Sequence, residues 1–159
     1  METLFELMNG TIWAMLGMAI AFFVAGMGSS KGVGIAGQTG AGVLTEDPGK
    51  FVPVMVLQAL PSTQAIYGFV IAFLILGKLG PGLTDDQGLM LFAAGLPIGF
   101  VGLMSAIYQG KVCASGINMV AKRPEGLVRG IILAVMVEFF AILGLIISLL
   151  MVLQVETGA

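Results

Sequence analysis

Four long runs of apolar residues dominate the chain, and short polar stretches separate them. The runs cover residues 11–44, 51–76, 89–121 and 130–153. Each run can cross a hydrocarbon layer about 30 Å thick as a helix, because an α-helix rises about 1.5 Å per residue. The pattern predicts an all-α membrane protein with four transmembrane helices.

A single carboxylate, Glu138, interrupts the last apolar segment, which extends from Gly130 to Gln154. This segment spans roughly 37 Å as a helix, so the carboxylate is expected deep in the membrane. An ionised side chain near the middle of a membrane helix costs about 2.5–3.5 kcal/mol on insertion scales. We therefore expect Glu138 to face protein and to have a partner there.

The two halves of the chain look like copies of one helical hairpin. When Pro48 is aligned with Pro124, the offset of 76 residues also brings Gly68 onto Gly144. Repeats of this kind indicate a duplicated unit, here a first hairpin in residues 1–80 and a second in residues 81–159. At the same offset Glu138 falls opposite Ser62. One carboxylate therefore serves two hairpins in one integrated membrane domain.

Composition supports the membrane assignment and excludes several classes of function. Hydrophobic residues make up 58% of the 159 positions and charged residues 10%, with a mean hydropathy of +1.05, which is far more apolar than a soluble domain. The scattered net charge of −2 does not suggest a nucleic-acid partner. The single Cys113 is interpreted as a packing residue, and the chain has no histidine for metal chemistry.

The charged loops predict the orientation in the membrane, because Lys and Arg are retained on the cytoplasmic side of short loops. The loops at 45–50 and 122–129 together hold Lys50, Lys122, Arg123 and Arg129, whereas the loop after the second run has only Lys78. The first two loops are therefore predicted to be cytoplasmic. Both ends of the chain, with Glu2, Glu6 and Glu156, are then predicted to lie outside, and the first ten residues are interpreted as a mature N-terminus.

The polar stretch LPSTQAIYG at residues 60–68 is the candidate partner of the buried carboxylate. Pro61 is expected to kink the second helix there and to leave neighbouring carbonyls free. Gln64 lies 14 residues after Lys50, and Gln109 lies 13 residues before Lys122. Glu138 lies 14 residues after Pro124, so the three side chains are expected at one depth, about 20 Å from the cytoplasmic loops.

Oxygen atoms at this depth suit a hard cation, and the single negative charge favours a monovalent ion. The set comprises the two amides, the carboxylate, the Thr63 hydroxyl and a main-chain carbonyl. A proton would need only Glu138, with or without a single hydrogen-bond partner. The polar side chains can also be interpreted as hydrogen-bonding groups that hold the helices together. Tyr67 either donates a hydrogen bond to Glu138 or only packs against it. Ser105 is interpreted as a packing residue.

Five segments together resemble a known family. They are GSSKGVGIAG (28–37), LPSTQAIYGFVIAF (60–73), YQGKVCASGI (108–117), AKRPE (121–125) and MVEFFAILGLIIS (136–148). They resemble the proteolipid of rotary V-type ATPases, most closely the sodium-translocating bacterial form, called subunit K or c. The resemblance covers essentially the whole chain.

The resemblance implies a membrane ring of identical copies, with the first and third helices inside and the second and fourth outside. It implies that Na⁺ is the transported ion and that no organic cofactor is present. The implied ligands are the main-chain oxygen of Leu60, the side chains of Thr63, Gln64, Gln109 and Glu138, and a supporting hydrogen bond from Tyr67.

The same resemblance implies a bacterial cytoplasmic membrane, lipid around the ring, a stator subunit that supplies an arginine, and a central-stalk subunit on the cytoplasmic side. ATP hydrolysis would occur in other subunits, so the chain is not expected to be an enzyme alone. Three alternatives are weighed against a Na⁺ ring: a H⁺-carrying ring of the same complex, a small four-helix proton-coupled cation exporter, and a purely structural helical oligomer. The oligomer leaves Glu138 unexplained.

Overall fold

The computed structural model describes residues 9–156 and contains five α-helices within that range. They are α1 (Gly10–Glu46), α2 (Phe51–Ala59), α3 (Thr63–Leu76), α4 (Asp85–Lys122) and α5 (Gly126–Gln154), with 3-10 turns at Pro48–Lys50 and Leu60–Ser62. The turn at 60–62 joins α2 and α3 into one span, so four helical segments are long and apolar enough to cross a membrane. The prediction of an all-α membrane protein with four spans is confirmed.

Polar side chains set where α1 and α4 begin. The Asn9 side chain accepts a hydrogen bond from the Ile12 N–H and caps α1. Thr84 and Gln87 form a capping box at the start of α4, so this helix begins four residues before the predicted apolar run. The Asp85 carboxylate accepts from the Gly10 N–H at 2.7 Å. These contacts place the first turns of α1 and α4 side by side.

Glycines allow α1 and α4 to pack backbone against backbone from Gly10 to Gly32 of α1. Gly17 lies beside Gly95, and Gly32 lies beside Gly110, so the two helices run parallel. A Cβ added at Gly110 would lie 2.4 Å from the Gly32 carbonyl oxygen, so any residue other than glycine would clash there. This small-residue packing, the main form of close helix approach in membranes, makes α1 and α4 the central pair of the bundle.

The two outer spans pack on this pair in equivalent ways. Gly68 of α3 lies against the Ala21 carbonyl of α1, and Gly144 of α5 lies against Pro97 of α4. The two glycines are the pair that the 76-residue offset brought together in the sequence. The hairpins therefore share a packing contact as well as a sequence pattern, while the boundaries 1–80 and 81–159 stay a prediction.

One end of the bundle holds the described ends of the chain and the loop between α3 and α4. Lys78 donates to the Val155 carbonyl at 2.8 Å, and Gln87 donates to the Glu156 carbonyl at 2.6 Å. The loops after α1 and α4 lie at the opposite end, as the prediction requires. Glu2 and Glu6, which were also placed at the first end, lie outside the described residues.

The outer surface of the bundle is apolar, as a lipid environment demands. Exposed aromatic side chains include Phe69, Phe73, Phe139 and Phe140. Cys113 is fully buried in a cluster with Leu57 and Ile117, which confirms its interpretation as a packing residue. The chain is a multi-pass membrane protein.

Candidate functional site

A break in the second span builds one wall of the site. Pro61 lies in the 3-10 turn between α2 and α3, where a kink was predicted. Ser29 of α1 accepts a hydrogen bond from the Ala65 N–H at 2.9 Å and so fixes the start of α3 against α1. Sequence reasoning missed Ser29, although the small residues Gly28 and Gly32 around it already marked that face as an interface.

Glu138 lies between α3 and α4 with 8% of its surface exposed. The Tyr67 hydroxyl donates to its Oε1 at 2.6 Å, and the Gln109 amide nitrogen donates to its Oε2 at 3.1 Å. Tyr67 is therefore a donor to the carboxylate and not merely a packing residue. Both hydrogen-bond partners of Glu138 within residues 9–156 are neutral, so neither cancels its charge.

Two buried amides continue the network away from Glu138. The Gln109 nitrogen also donates to the Ala134 carbonyl at 3.2 Å, and its Oε1 accepts from the Gln64 nitrogen at 2.8 Å. Both glutamines are fully buried. The prediction that Gln64, Gln109 and Glu138 meet at one level is confirmed, and their role as ion ligands stays a prediction.

The oxygen of the Gln64 side chain differs from every other polar atom of this network. Gln64 Oε1 is buried and has no hydrogen-bond partner within the described residues. A buried polar atom left unpaired costs about 1–3 kcal/mol. A cation bound at this oxygen would remove that cost. The oxygens of the site therefore fit the Na⁺ ion that the family resemblance implies.

Leu60, in the turn before α3, and Thr63, the first residue of α3, place two further oxygens near Gln64. The Thr63 hydroxyl donates to the Leu60 carbonyl at 3.1 Å, so both oxygens lie in the same turn as Gln64. Thr63 also lies one helical turn before Tyr67, on the same face of α3. All six predicted site residues are thus placed in, or directly beside, one network.

Ser105 belongs to the network as well, so its interpretation as a packing residue was wrong. Its oxygen accepts from the Gln64 nitrogen at 3.2 Å, and its hydroxyl donates to the Val137 carbonyl at 3.0 Å. A signal was available, because Ser105 lies four residues before Gln109 on the same face of α4.

The chemistry of the site is that of neutral oxygens around one carboxylate. Within residues 9–156 no group of three or more His, Cys, Asp or Glu side chains is placed to hold a metal ion. Phe139 and Phe140, next to Glu138 in sequence, are exposed on the apolar outer surface. The site therefore combines one negative charge, several neutral oxygens and an apolar exterior.

Comparison with known proteins places this arrangement in a family. Residues 16–75 and residues 92–151 each match the family described as the C subunit of ATP synthase, and together they cover more than half of the chain. The chain belongs to the ATP synthase C subunit family. The two matches begin 76 positions apart, at the offset seen in the sequence, so the duplicated hairpin is confirmed as two copies of one family unit.

Several members of this family resemble the chain along most of its length. V-type sodium ATPase subunit K of Enterococcus hirae is 50% identical over 154 residues, which covers 97% of this chain and 99% of the relative. A-type ATP synthase subunit K of Methanocaldococcus jannaschii is 41% identical over 143 residues, 90% of this chain and 63% of the relative. The 16 kDa proteolipid of the V-type proton ATPase of Ovis aries is 26% identical over 141 residues, 89% of this chain and 91% of the relative. These likenesses confirm the predicted proteolipid resemblance.

Proposed function

We propose that this chain is a rotor ring subunit of a V-type ATPase and carries Na⁺ across the membrane at Glu138. The observation that carries the proposal is a buried carboxylate whose partners within residues 9–156 are neutral, in one network with Gln64 Oε1, which has no partner in the same range. The 50% identity to a subunit named for a sodium ATPase supports the same ion. The proposed ligands are the Leu60 carbonyl, Thr63, Gln64, Gln109 and Glu138, with Tyr67 supporting the carboxylate.

Charge determines the order of steps in the proposed cycle. Na⁺ bound among these oxygens cancels the charge of Glu138, and the loaded site then moves through lipid at little cost. An empty and ionised Glu138 in lipid is penalised by several kcal/mol. Release therefore belongs beside a stator subunit whose arginine takes the place of the ion, and rotation away from the stator requires reloading.

The chain's own residues hold the carboxylate ready for this exchange. Tyr67 and Gln109 each donate to one oxygen of Glu138, which fixes its orientation between α3 and α4. Gln109 Oε1 accepts one hydrogen bond from Gln64 and keeps a second lone pair for an ion. Hydrolysis of ATP belongs to other subunits, so the chain is not an enzyme by itself and needs no organic cofactor.

Assembly follows from the same proposal. Identical copies form a ring in the bacterial cytoplasmic membrane, with lipid around it and a central-stalk subunit on its cytoplasmic side. The loops after α1 and α4 carry Lys50, Lys122, Arg123 and Arg129, and the positive-inside tendency places them in the cytoplasm. Both ends of the chain then lie outside.

The site favours Na⁺ over the alternatives. A proton would bind Glu138 directly and leave Gln64 Oε1 without a partner, whereas a metal cation would engage it. A small cation exporter is not favoured either, because the chain matches the same ATP synthase family twice, and α1 carries no acid within the membrane part of the described chain.

Carbodiimide labelling tests the proposal, because the reagent attacks protonated carboxyl groups. In the purified protein, NaCl is expected to slow modification of Glu138, whereas KCl at equal ionic strength is expected to have no effect. Glu138→Gln is expected to remove the labelled position. Labelling that is indifferent to NaCl at fixed pH would contradict a Na⁺ site and favour a H⁺-carrying ring.

A pair of glutamine variants tests the ligand set. Gln64→Ala is expected to weaken protection by NaCl without preventing assembly, because it removes the unpartnered oxygen. Gln154→Ala is the matched control, since Gln154 is exposed at the end of α5. Equal protection of both variants would remove Gln64 from the ligands.

A further inference from the structure

The orientation of the buried amides is set by two backbone carbonyls of α5. A main-chain carbonyl can only accept a hydrogen bond. The Ala134 carbonyl and Glu138 Oε2 therefore require the nitrogen of Gln109 on their side. Its oxygen must then face Gln64, where it accepts at 2.8 Å.

The Val137 carbonyl determines the direction of the second hydrogen bond in the same way. Ser105 has one hydroxyl proton, and it is donated to this carbonyl at 3.0 Å. Ser105 can then only accept from Gln64, and it does so at 3.2 Å. The nitrogen of Gln64 thus faces two acceptors, and its oxygen is directed away from both.

A rotated Gln64 amide would be penalised twice. Its oxygen would then face Gln109 Oε1, which has no proton, and Ser105 could donate to it only by giving up its hydrogen bond to the Val137 carbonyl. Without Ser105, only the contact with Gln109 would oppose the rotation. Ser105 is therefore one of two acceptors that hold the Gln64 nitrogen in place and leave the Gln64 oxygen unpaired.

The surroundings of Ser105 keep water from replacing it. Ser105 is buried, with 5% of its surface exposed, and it lies at the inner edge of a groove of about 550 Å³ between α4 and α5. The other lining residues are apolar or aromatic: Phe100, Val101, Met104, Tyr108, Val137 and Phe140. A cavity needs several polar partners to hold an ordered water, and apart from Ser105 the side chains of this groove offer only the Tyr108 hydroxyl.

We propose that Ser105 is a positioning residue that holds the Gln64 amide with Oε1 turned toward the transported cation. The inference rests on the proposed function of the site, and it adds a residue that does not itself contact the ion. Ser105 acts through Gln64, so its loss should change cation binding and leave the chemistry of Glu138 as it is.

Three variants of the purified protein test the role of Ser105. Ser105→Ala is expected to raise the NaCl concentration that half-protects Glu138 from carbodiimide by about 3- to 10-fold, the range of one net hydrogen bond. Each half-protective concentration is measured against the labelling rate of the same variant without Na⁺. Ser105→Thr keeps the hydroxyl and should restore protection, and Ser105→Cys, a weaker hydrogen-bonding group, should lie between the two.

Ser148→Ala is the matched control. Ser148 is also a fully buried serine between α4 and α5, but its oxygen accepts from the Ile98 N–H at 3.0 Å. This variant is expected to keep normal protection by NaCl. If Ser105→Ala does not assemble, Ser105→Cys carries the test.

Two results would overturn the proposal for Ser105. The first is normal half-protection in Ser105→Ala. The second is an equal shift in Ser105→Thr and Ser105→Ala, which would indicate packing and not the hydroxyl. Failure of the proposed function is distinct from both, because the unchanged protein would then show no protection by NaCl.

Discussion

The close approach of α1 and α4 yields a prediction about Gly32. A Cβ built there lies 2.3 Å from the Ala106 carbonyl oxygen and 2.8 Å from the Pro61 side chain. Real Cβ contacts are not shorter than 3.0 Å, so Gly32→Ala must move α1 by at least about 0.7 Å from α4. Neither a carbonyl nor a proline ring can rotate away, so the strain is not easily relieved.

The magnitude follows from packing energies. Overpacking of this kind costs about 1–3 kcal/mol, and we expect a net loss of about 2 kcal/mol for Gly32→Ala. Gly34 on the same helix has no heavy atom within 4 Å of an added Cβ. Gly34→Ala should therefore gain the roughly 0.5–1 kcal/mol that alanine has over glycine in a helix.

Thermal unfolding of the two purified variants in one detergent measures the difference. The unfolding midpoint of a chain of this size shifts by about 2–4 °C for each kcal/mol of stability. The midpoints of the two variants should therefore lie roughly 5–12 °C apart, with that of Gly32→Ala lower. Gly26→Ala is a second open-site control, because an added Cβ there also meets nothing within 4 Å. Equal midpoints for Gly32→Ala and Gly34→Ala would refute the packing of α1 against α4 described above.

Two further predictions concern the hydrogen bonds of the site. Tyr67→Phe should raise the half-protective NaCl concentration in carbodiimide labelling about tenfold or more, because a hydrogen bond to a charged group is worth about 1.5–3 kcal/mol. Tyr108→Phe changes an exposed tyrosine and should leave this concentration unchanged. Equal concentrations for the two variants would contradict the role of Tyr67. Ser29→Ala should lower the unfolding temperature by leaving the Ala65 N–H unpaired, a cost of about 1–3 kcal/mol. Its exposed neighbour Ser30, which donates to the Met27 carbonyl within α1, supplies the control Ser30→Ala. Equal unfolding temperatures would argue against the contact between α1 and α3.

The site was predictable from the sequence where it depends on depth along a helix. Counting residues from the loops placed Gln64, Gln109 and Glu138 at one level, because rise per residue is nearly constant in every helix. The structure then joined them at 2.8 and 3.1 Å. The depth of a residue in the membrane follows from its position in the sequence, so this part of the prediction agrees with the structure.

Ser29 and Ser105 were not predictable in the same way. A serine in a membrane helix serves equally well as a small packing residue or as a hydrogen-bonding group, and the choice depends on how neighbouring helices are rotated. Ser29 meets a backbone N–H released near the break at Pro61. Ser105 meets the Val137 carbonyl of α5, and neither partner is close in sequence.

The sequence by itself determined that four apolar segments are long enough to cross a membrane and that Glu138 lies within one of them, because the length of an apolar run and the position of a charge in it depend only on the order of residues along the chain. Only the tertiary structure decided which atom of the site is left without a partner. That atom, Gln64 Oε1, is selected by donors and acceptors on α3, α4 and α5 that meet within about 3 Å. A hydrogen bond depends on distances and angles between residues far apart in the chain, and no local pattern encodes them.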